Sequence, residues 1–131
     1  MLKFKNLNLN PKGRKTGDCS VRALAGVLGI TYDDALDLQI QEVKKSYYDS
    51  SSRQTMERVL KKYGYTKKAQ PKYNGNKYQV REMDKWLSKK ELENGVVVNV
   101  RHHYVFIKDD YYQDICDTGR MTVGNYYSKE N

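Results

Sequence analysis

Apolar residues fall at helical spacing through the first half of the chain and in short β-branched runs or alternations towards its end. Val21, Leu24, Ala25 and Leu28 stand at i, i+3, i+4 and i+7, which predicts a helix from about Asp18 to Leu28. Asp18 or Thr16 suits its N-cap, and Gly29 suits the residue beyond its end. Thr31-Tyr32-Asp33-Asp34 resembles a capping box with Asp in place of Glu. The helix it opens carries Tyr32, Ala35, Leu36, Ile40 and Val43 on one side and ends near Lys44-Lys45. After Ser50-Ser51-Ser52 a third helix presents Met56, Val59, Leu60 and Tyr63, and Gly64 stops it.

From Tyr65 the period changes. Tyr65-Thr66 reads as the start of a short strand, and Pro71 with Asn74-Gly75-Asn76 as a loop. Val80, Met83, Trp86 and Leu87 predict one short helix, with Met83 and Trp86 in the core. Val96-Val97-Val98-Asn99-Val100 reads as a buried strand. Tyr104 to Ile107, Asp109-Asp110 and Tyr111 to Ile115 read as strand, tight turn, strand, and Met121 to Tyr127 as a last strand. Helices then an antiparallel sheet make an α+β fold. With no repeat and no clear linker, residues 1–131 read as a single domain with residues 1–15 as an extended arm.

Composition narrows the class. The longest apolar run falls well short of the ~20 residues that cross a bilayer, and Met1-Leu2-Lys3-Phe4-Lys5 lacks a signal-peptide core. The expectation is a soluble cytoplasmic protein with no membrane partner. Cys19 and Cys116 with the adjacent pair His102-His103 offer no zinc-ligand spacing, so neither metal nor cofactor is expected. The net charge of +8 suits an acidic partner. Between Lys61 and Arg81, lysines interleave with Tyr63, Tyr65, Tyr73 and Tyr78 and no acidic residue intervenes. Such a segment suits single-stranded nucleic acid, an acidic protein substrate, or a solvated surface over the core.

The candidate chemistry starts at Cys19. A thiol at a helix start lies beside free N–H groups and the positive end of the helix dipole, which favour thiolate and can face an oxyanion. A thiol nucleophile needs a base, and the base needs an orienting group. His103 opens a predicted strand, and a two-residue Asp109-Asp110 turn sets Lys108 opposite Tyr111 and Val105 opposite Asp114. His103, Val105 and Asp114 then share a face, so the carboxylate is a diagonal neighbour of the imidazole. A bulge or longer turn favours Asp117 instead.

These residues resemble a family. Gly17-Asp18-Cys19 running into Val21-Arg22-Ala23-Leu24, then Thr31-Tyr32-Asp33, is similar to the nucleophile end of small papain-like cysteine peptidases of bacteriophages and mobile elements. Tyr78-Gln79-Val80-Arg81-Glu82-Met83 resembles their Val-Arg-Glu helix start, and Val96 to Val98, His103 to Asp109 and Tyr112-Gln113-Asp114 resemble their His and Asp strands, in the same order. The resemblance implies a papain-like fold, Cys19 as nucleophile, His103 as general base and acid, and Asp114 as orienting residue, with Asp117 at a second acidic position. It also implies a protein or peptide substrate, in or from a bacterial host cytoplasm, with hydrolysis or acyl transfer as the outcome.

The chain departs from the family in three places. His102 stands where a glycine often precedes the histidine. Cys116 stands where an aromatic often shields the His–Asp hydrogen bond. Gly13 stands where papain-like proteases usually hold an oxyanion-donating glutamine, leaving Asn10, Thr16 or the Cys19 N–H as candidates. These departures keep open a second class, a papain-like scaffold without catalysis that binds or inhibits a bacterial host factor. Nucleic-acid binding is a third.

Overall fold

The computed structural model describes residues 1–13, 17–49 and 52–129. Helix α1 (Cys19–Leu28) buries Val21, Leu24, Ala25 and Val27. It stops at Gly29, whose left-handed φ of 66° lets its N–H reach the last carbonyls. Helix α2 (Tyr32–Ser46) is capped by Thr31, which accepts the Asp34 N–H at 3.1 Å. Its buried face differs from the expected one: Ala35, Gln39 and Glu42 turn inward while Ile40 is 39% exposed. The reason lies in helix α3 (Arg53–Lys62). Arg58 and Lys62 both donate to the Glu42 carboxylate, the latter at 3.0 Å, so a fully buried charge is paired and the helix rotates to present it. Met56, Val59 and Leu60 of α3 are buried, while Tyr63 stays half-exposed.

Among the described residues, six strands form one sheet, β1 (Lys3–Asn6), β7 (Tyr111–Asp114), β6 (His103–Lys108), β5 (Val96–Val100), β8 (Tyr126–Ser128) and β2 (Thr66–Lys68), in that spatial order. The architecture is α+β. The expected helices-then-antiparallel-sheet order needs two corrections. Both edge strands come from the first part of the chain, and β1 runs parallel to β7, Lys3 facing Tyr111 and Asn6 facing Asp114. The N-terminal stretch is therefore an edge strand with Leu2 in the core, and the remaining ladders are antiparallel.

One face of the sheet packs Val97, Tyr104, Phe106 and Tyr127 against α1 and α3. The other packs Val96, Val98, Val105 and Ile107 against Val80 and Met83 of a 3-10 helix (Val80–Lys85) and against Val123. Trp86, expected in the core, is 40% exposed and donates its Nε1–H to Tyr126 Oη at 3.1 Å. Helix α4 (Lys89–Asn94) follows, opened by a capping box in which Ser88 and Glu91 bond each other's backbone N–H. The expected loop at Asn74-Gly75 is the turn of a hairpin, β3 (Lys72–Tyr73) and β4 (Asn76–Lys77), with φ of 51° and 80° at its tip. The last strand is shorter than expected, Thr122 making only a single bridge to Gln79.

Candidate active site

Three chain segments meet at the N-terminus of α1. Cys19 is its first residue, half-buried, and Asp18 occupies the N-cap without its side chain bonding the helix backbone. The first turn of N–H groups is thus not taken up by an N-cap side chain. On the sheet side, β5 returns into β6 through Arg101-His102, at φ of 30° and 64°, so that Val100 pairs with His103. Position 102 is a left-handed position where glycine is the easy residue, and here a histidine carries it. His102 is exposed in that turn, whereas His103 begins the ladder and turns inward.

The β6–β7 turn is two residues long, with Lys108 opposite Tyr111 and Phe106 opposite Gln113. This register brings Asp114 under His103. The His103 Nε2 lies 2.5 Å from Asp114 Oδ2, and the carboxylate is buried at 2% exposure. With Nε2–H given to Asp114, Nδ1 is the ring nitrogen left for the Cys19 thiol, with which the imidazole also hydrogen-bonds. Asp117 lies elsewhere: it accepts from Tyr112 Oη at 2.7 Å and the Gly119 N–H at 2.9 Å.

The electrostatics follow from these contacts. Burial pushes the Cys19 thiol up. Hydrogen bonds from His103 and the Tyr104 backbone, with the charges of His103 and Arg22, outweigh it and hold the thiol below its ordinary value. The Asp114 hydrogen bond, then the Cys19 one, lift His103 against its burial to about 9. Burial raises Asp114 too, but His103, the Ile115 N–H and Arg22 bring it below the usual carboxylate range. Both shifts move the pair towards thiolate beside imidazolium.

No known protein family, curated protein or solved structure matches the chain. The site is therefore read from its own geometry.

Arg22 is the residue that sequence reasoning passed over as part of a motif. It is 7% exposed, and it donates from Nε to Asp18 Oδ1 at 2.8 Å and from Nη1 to Asp114 Oδ1 at 3.1 Å. Asp18 also accepts from Asn10 Nδ2 and Tyr32 Oη, each at 3.0 Å. One network thus runs from the N-terminal segment through Asp18, Arg22 and Asp114 to His103. It bears on two of the departures. Asn10 is held in place, one N–H of its amide on Asp18 and its side-chain carbonyl on the Lys12 N–H. Asp114 is shielded by Arg22, with Thr118 at 3.5 Å, although Cys116 is small and exposed. Thr16 lies outside the described residues.

A cleft of about 570 Å³ opens over Cys19. Ser52 and Arg53 at the start of α3, Asn99 of β5, and Ile115 and Cys116 beyond β7 help to line it. Among the described residues, none between Lys61 and Arg81 lines it. Among the described residues no group of His, Cys, Asp and Glu is placed to hold a metal ion, and no helix is long and apolar enough to cross a membrane.

Proposed function

We propose that this protein is a papain-like cysteine hydrolase that cleaves an amide bond in a protein or peptide. The observation that carries the reading is the His103 imidazole held at 2.5 Å by a buried Asp114 while it hydrogen-bonds the thiol at the start of α1. The thiolate sulfur adds to the carbonyl carbon, and the C=O pair moves onto oxygen in front of the first N–H groups of α1. As the C–N bond breaks, imidazolium Nδ1–H passes its proton to the leaving amine, and a thioester remains. Water then attacks, His103 takes its proton, and the thiolate leaves with the acid as the second product. An amine in place of water gives acyl transfer by the same steps.

Labelling with iodoacetamide tests this in a Cys116→Ser background, where Cys19 is the sole thiol. The expected rate for Cys19 rises with pH through a midpoint below that of an ordinary thiol. In His103→Ala the midpoint climbs, because the strongest hydrogen bond favouring thiolate is lost. His103 must be protonated to serve as acid, so turnover falls as pH rises through about 9. A Cys19 that titrates like a free thiol, indifferent to His103, would sink the hydrolase and favour the non-catalytic binding scaffold. The Asn10 amide, drawn to Asp18 by one of its N–H groups, is the observation on that second side.

A further inference from the structure

The cleft over Cys19 has a pronounced charge bias. Among the described residues that line it there is no Asp or Glu directed at its opening: the one charged group beside the site's own residues is the Arg53 guanidinium. Arg53 is exposed and makes no ion pair among the described residues. It is the first residue of α3, a ten-residue helix with no acidic side chain in its first turn, so nothing offsets the positive end of the helix dipole there. Ser52 accepts the Thr55 N–H at 3.1 Å, and the start of α3 borders the cleft through Ser52 and Arg53.

A second observation is independent of α3. Asn99 lines the same cleft from β5, is 7% exposed, and its carboxamide has no hydrogen bond among the described residues. Its backbone is satisfied by Asn125 and Gly124, so only the side chain is unpartnered. Its neighbours along the strand, Val98 and Val100, face the opposite core. Its carboxamide is not walled off from solvent, so it opens on the cleft, where a ligand can take the place of water on it. The asparagine is the one polar interruption of Val96 to Val100.

We infer that Arg53 and Asn99 form a subsite for a carboxylate that flanks the scissile amide, carried by an acidic side chain or by the end of a substrate chain. The guanidinium takes both carboxylate oxygens, the positive end of α3 adds to the field, and the Asn99 amide donates from the β5 side. This deepens the hydrolase reading and rests on it: the subsite selects which amide Cys19 meets.

Peptide vinyl sulfones differing only in the residue before the warhead test it, since each adds the Cys19 sulfur across the vinyl group without a leaving group. A charged hydrogen bond of this kind corresponds to about tenfold in rate. The Glu probe is expected to inactivate wild type about tenfold faster than the Gln probe. A Gln probe bearing a carboxylate beyond the sulfone is the arm for a chain-end carboxylate, and a tenfold advantage there assigns the subsite to chain ends. Arg53→Gln brings either ratio close to one, Arg53→Glu turns the preference to a Lys probe, and Asn99→Ala lowers the ratio several-fold. Lys72→Gln, a charge change outside the cleft lining, leaves the ratio at its wild-type value. Wild-type rates with both carboxylate-bearing probes equal to that of the plain Gln probe, or an advantage that survives Arg53→Gln, overturn the subsite while iodoacetamide labelling of Cys19 still upholds the hydrolase. A Cys19 that iodoacetamide does not label selectively overturns both.

Discussion

Arg22 holds two carboxylates that come from opposite ends of the chain, and it does so at 7% exposure. Two carboxylates and one guanidinium in so little water are stable only as a set. Arg22→Met removes the cation and leaves Asp18 and Asp114 buried without it, so a loss of about 3–5 kcal/mol in urea unfolding is expected. Arg22→Lys keeps the charge but not the fork that spans both partners, and should recover only part of that loss. Equal stability of Arg22→Met and wild type would mean the network holds nothing. Half of this arrangement was legible: Asp18 and Arg22 stand four apart at a helix start, an ordinary ion-pair spacing. The other half was not, because Asp114 is 92 positions away and only the fold brings it there. The same distinction separates His103 from Asn10. Strand parity and a two-residue turn set the His103–Asp114 contact from local rules, whereas the fate of the Asn10 amide depended on where Asp18 pointed.

Helix α1 is aimed by how closely it lies on β6. A Cβ built on Gly26 would come within 2.6 Å of Phe106 Cδ2 and 3.0 Å of Cε2, so the helix approaches the strand only because residue 26 has no side chain. Gly26→Ala gains about 1 kcal/mol of helix propensity. Overpacking costs about 1–3 kcal/mol, so a net loss is expected in urea unfolding. Because α1 carries Cys19 and β6 carries His103, the thiol's labelling midpoint should rise as well. Phe106→Leu in the same chain opens the contact and should recover both readings; a more stable Gly26→Ala protein would refute the close packing. The apolar period found α1 and α3, and Ser88-Lys89-Lys90-Glu91 held a capping-box signal for α4 that a hydrophobic reading passes over. The rotation of α2 was not legible from period alone. Glu42 looks like a surface residue until Arg58 and Lys62, on another helix, make its burial tolerable. These contacts, with burial working against them, hold Glu42 below its ordinary value. Its contribution is therefore present above the unfolded value and lost as pH falls through the folded one.

The whole molecule closes the site through its N-terminal strand. β1 is the outer neighbour of β7, the strand that carries Asp114, and its parallel pairing reads as an arm in a sequence because four residues carry little periodicity. Leu2 is 6% exposed, its N–H donates to Arg81 O at 2.8 Å, and Phe4 packs on Tyr112 with ring centres 5.6 Å apart. Beyond the strand, the Leu7 N–H donates to Asp114 O at 2.9 Å, so the residue that orients His103 is bonded from the chain start by its backbone as well as by Arg22. Removing residues 1–8 spares Asn10 and its bond to Asp18 but uncovers the edge of β7. Burial of one leucine alone is worth about 1.5–3 kcal/mol, and the lost ladder adds to it. The trimmed protein should unfold at lower urea, and amides of Tyr112 to Asp114 should exchange faster while those of β5 hold. Freed on one side, Asp114 holds His103 less tightly, His103 falls from about 9 towards its ordinary value, and the Cys19 labelling midpoint rises. The stability that the raised His103 value supplies is full below its unfolded pKa and disappears as pH passes about 9, so the gap between trimmed and full-length protein should narrow above that pH. A trimmed protein with unchanged exchange on β7 and an unchanged Cys19 midpoint would show that the strand only covers the sheet and does not hold the site.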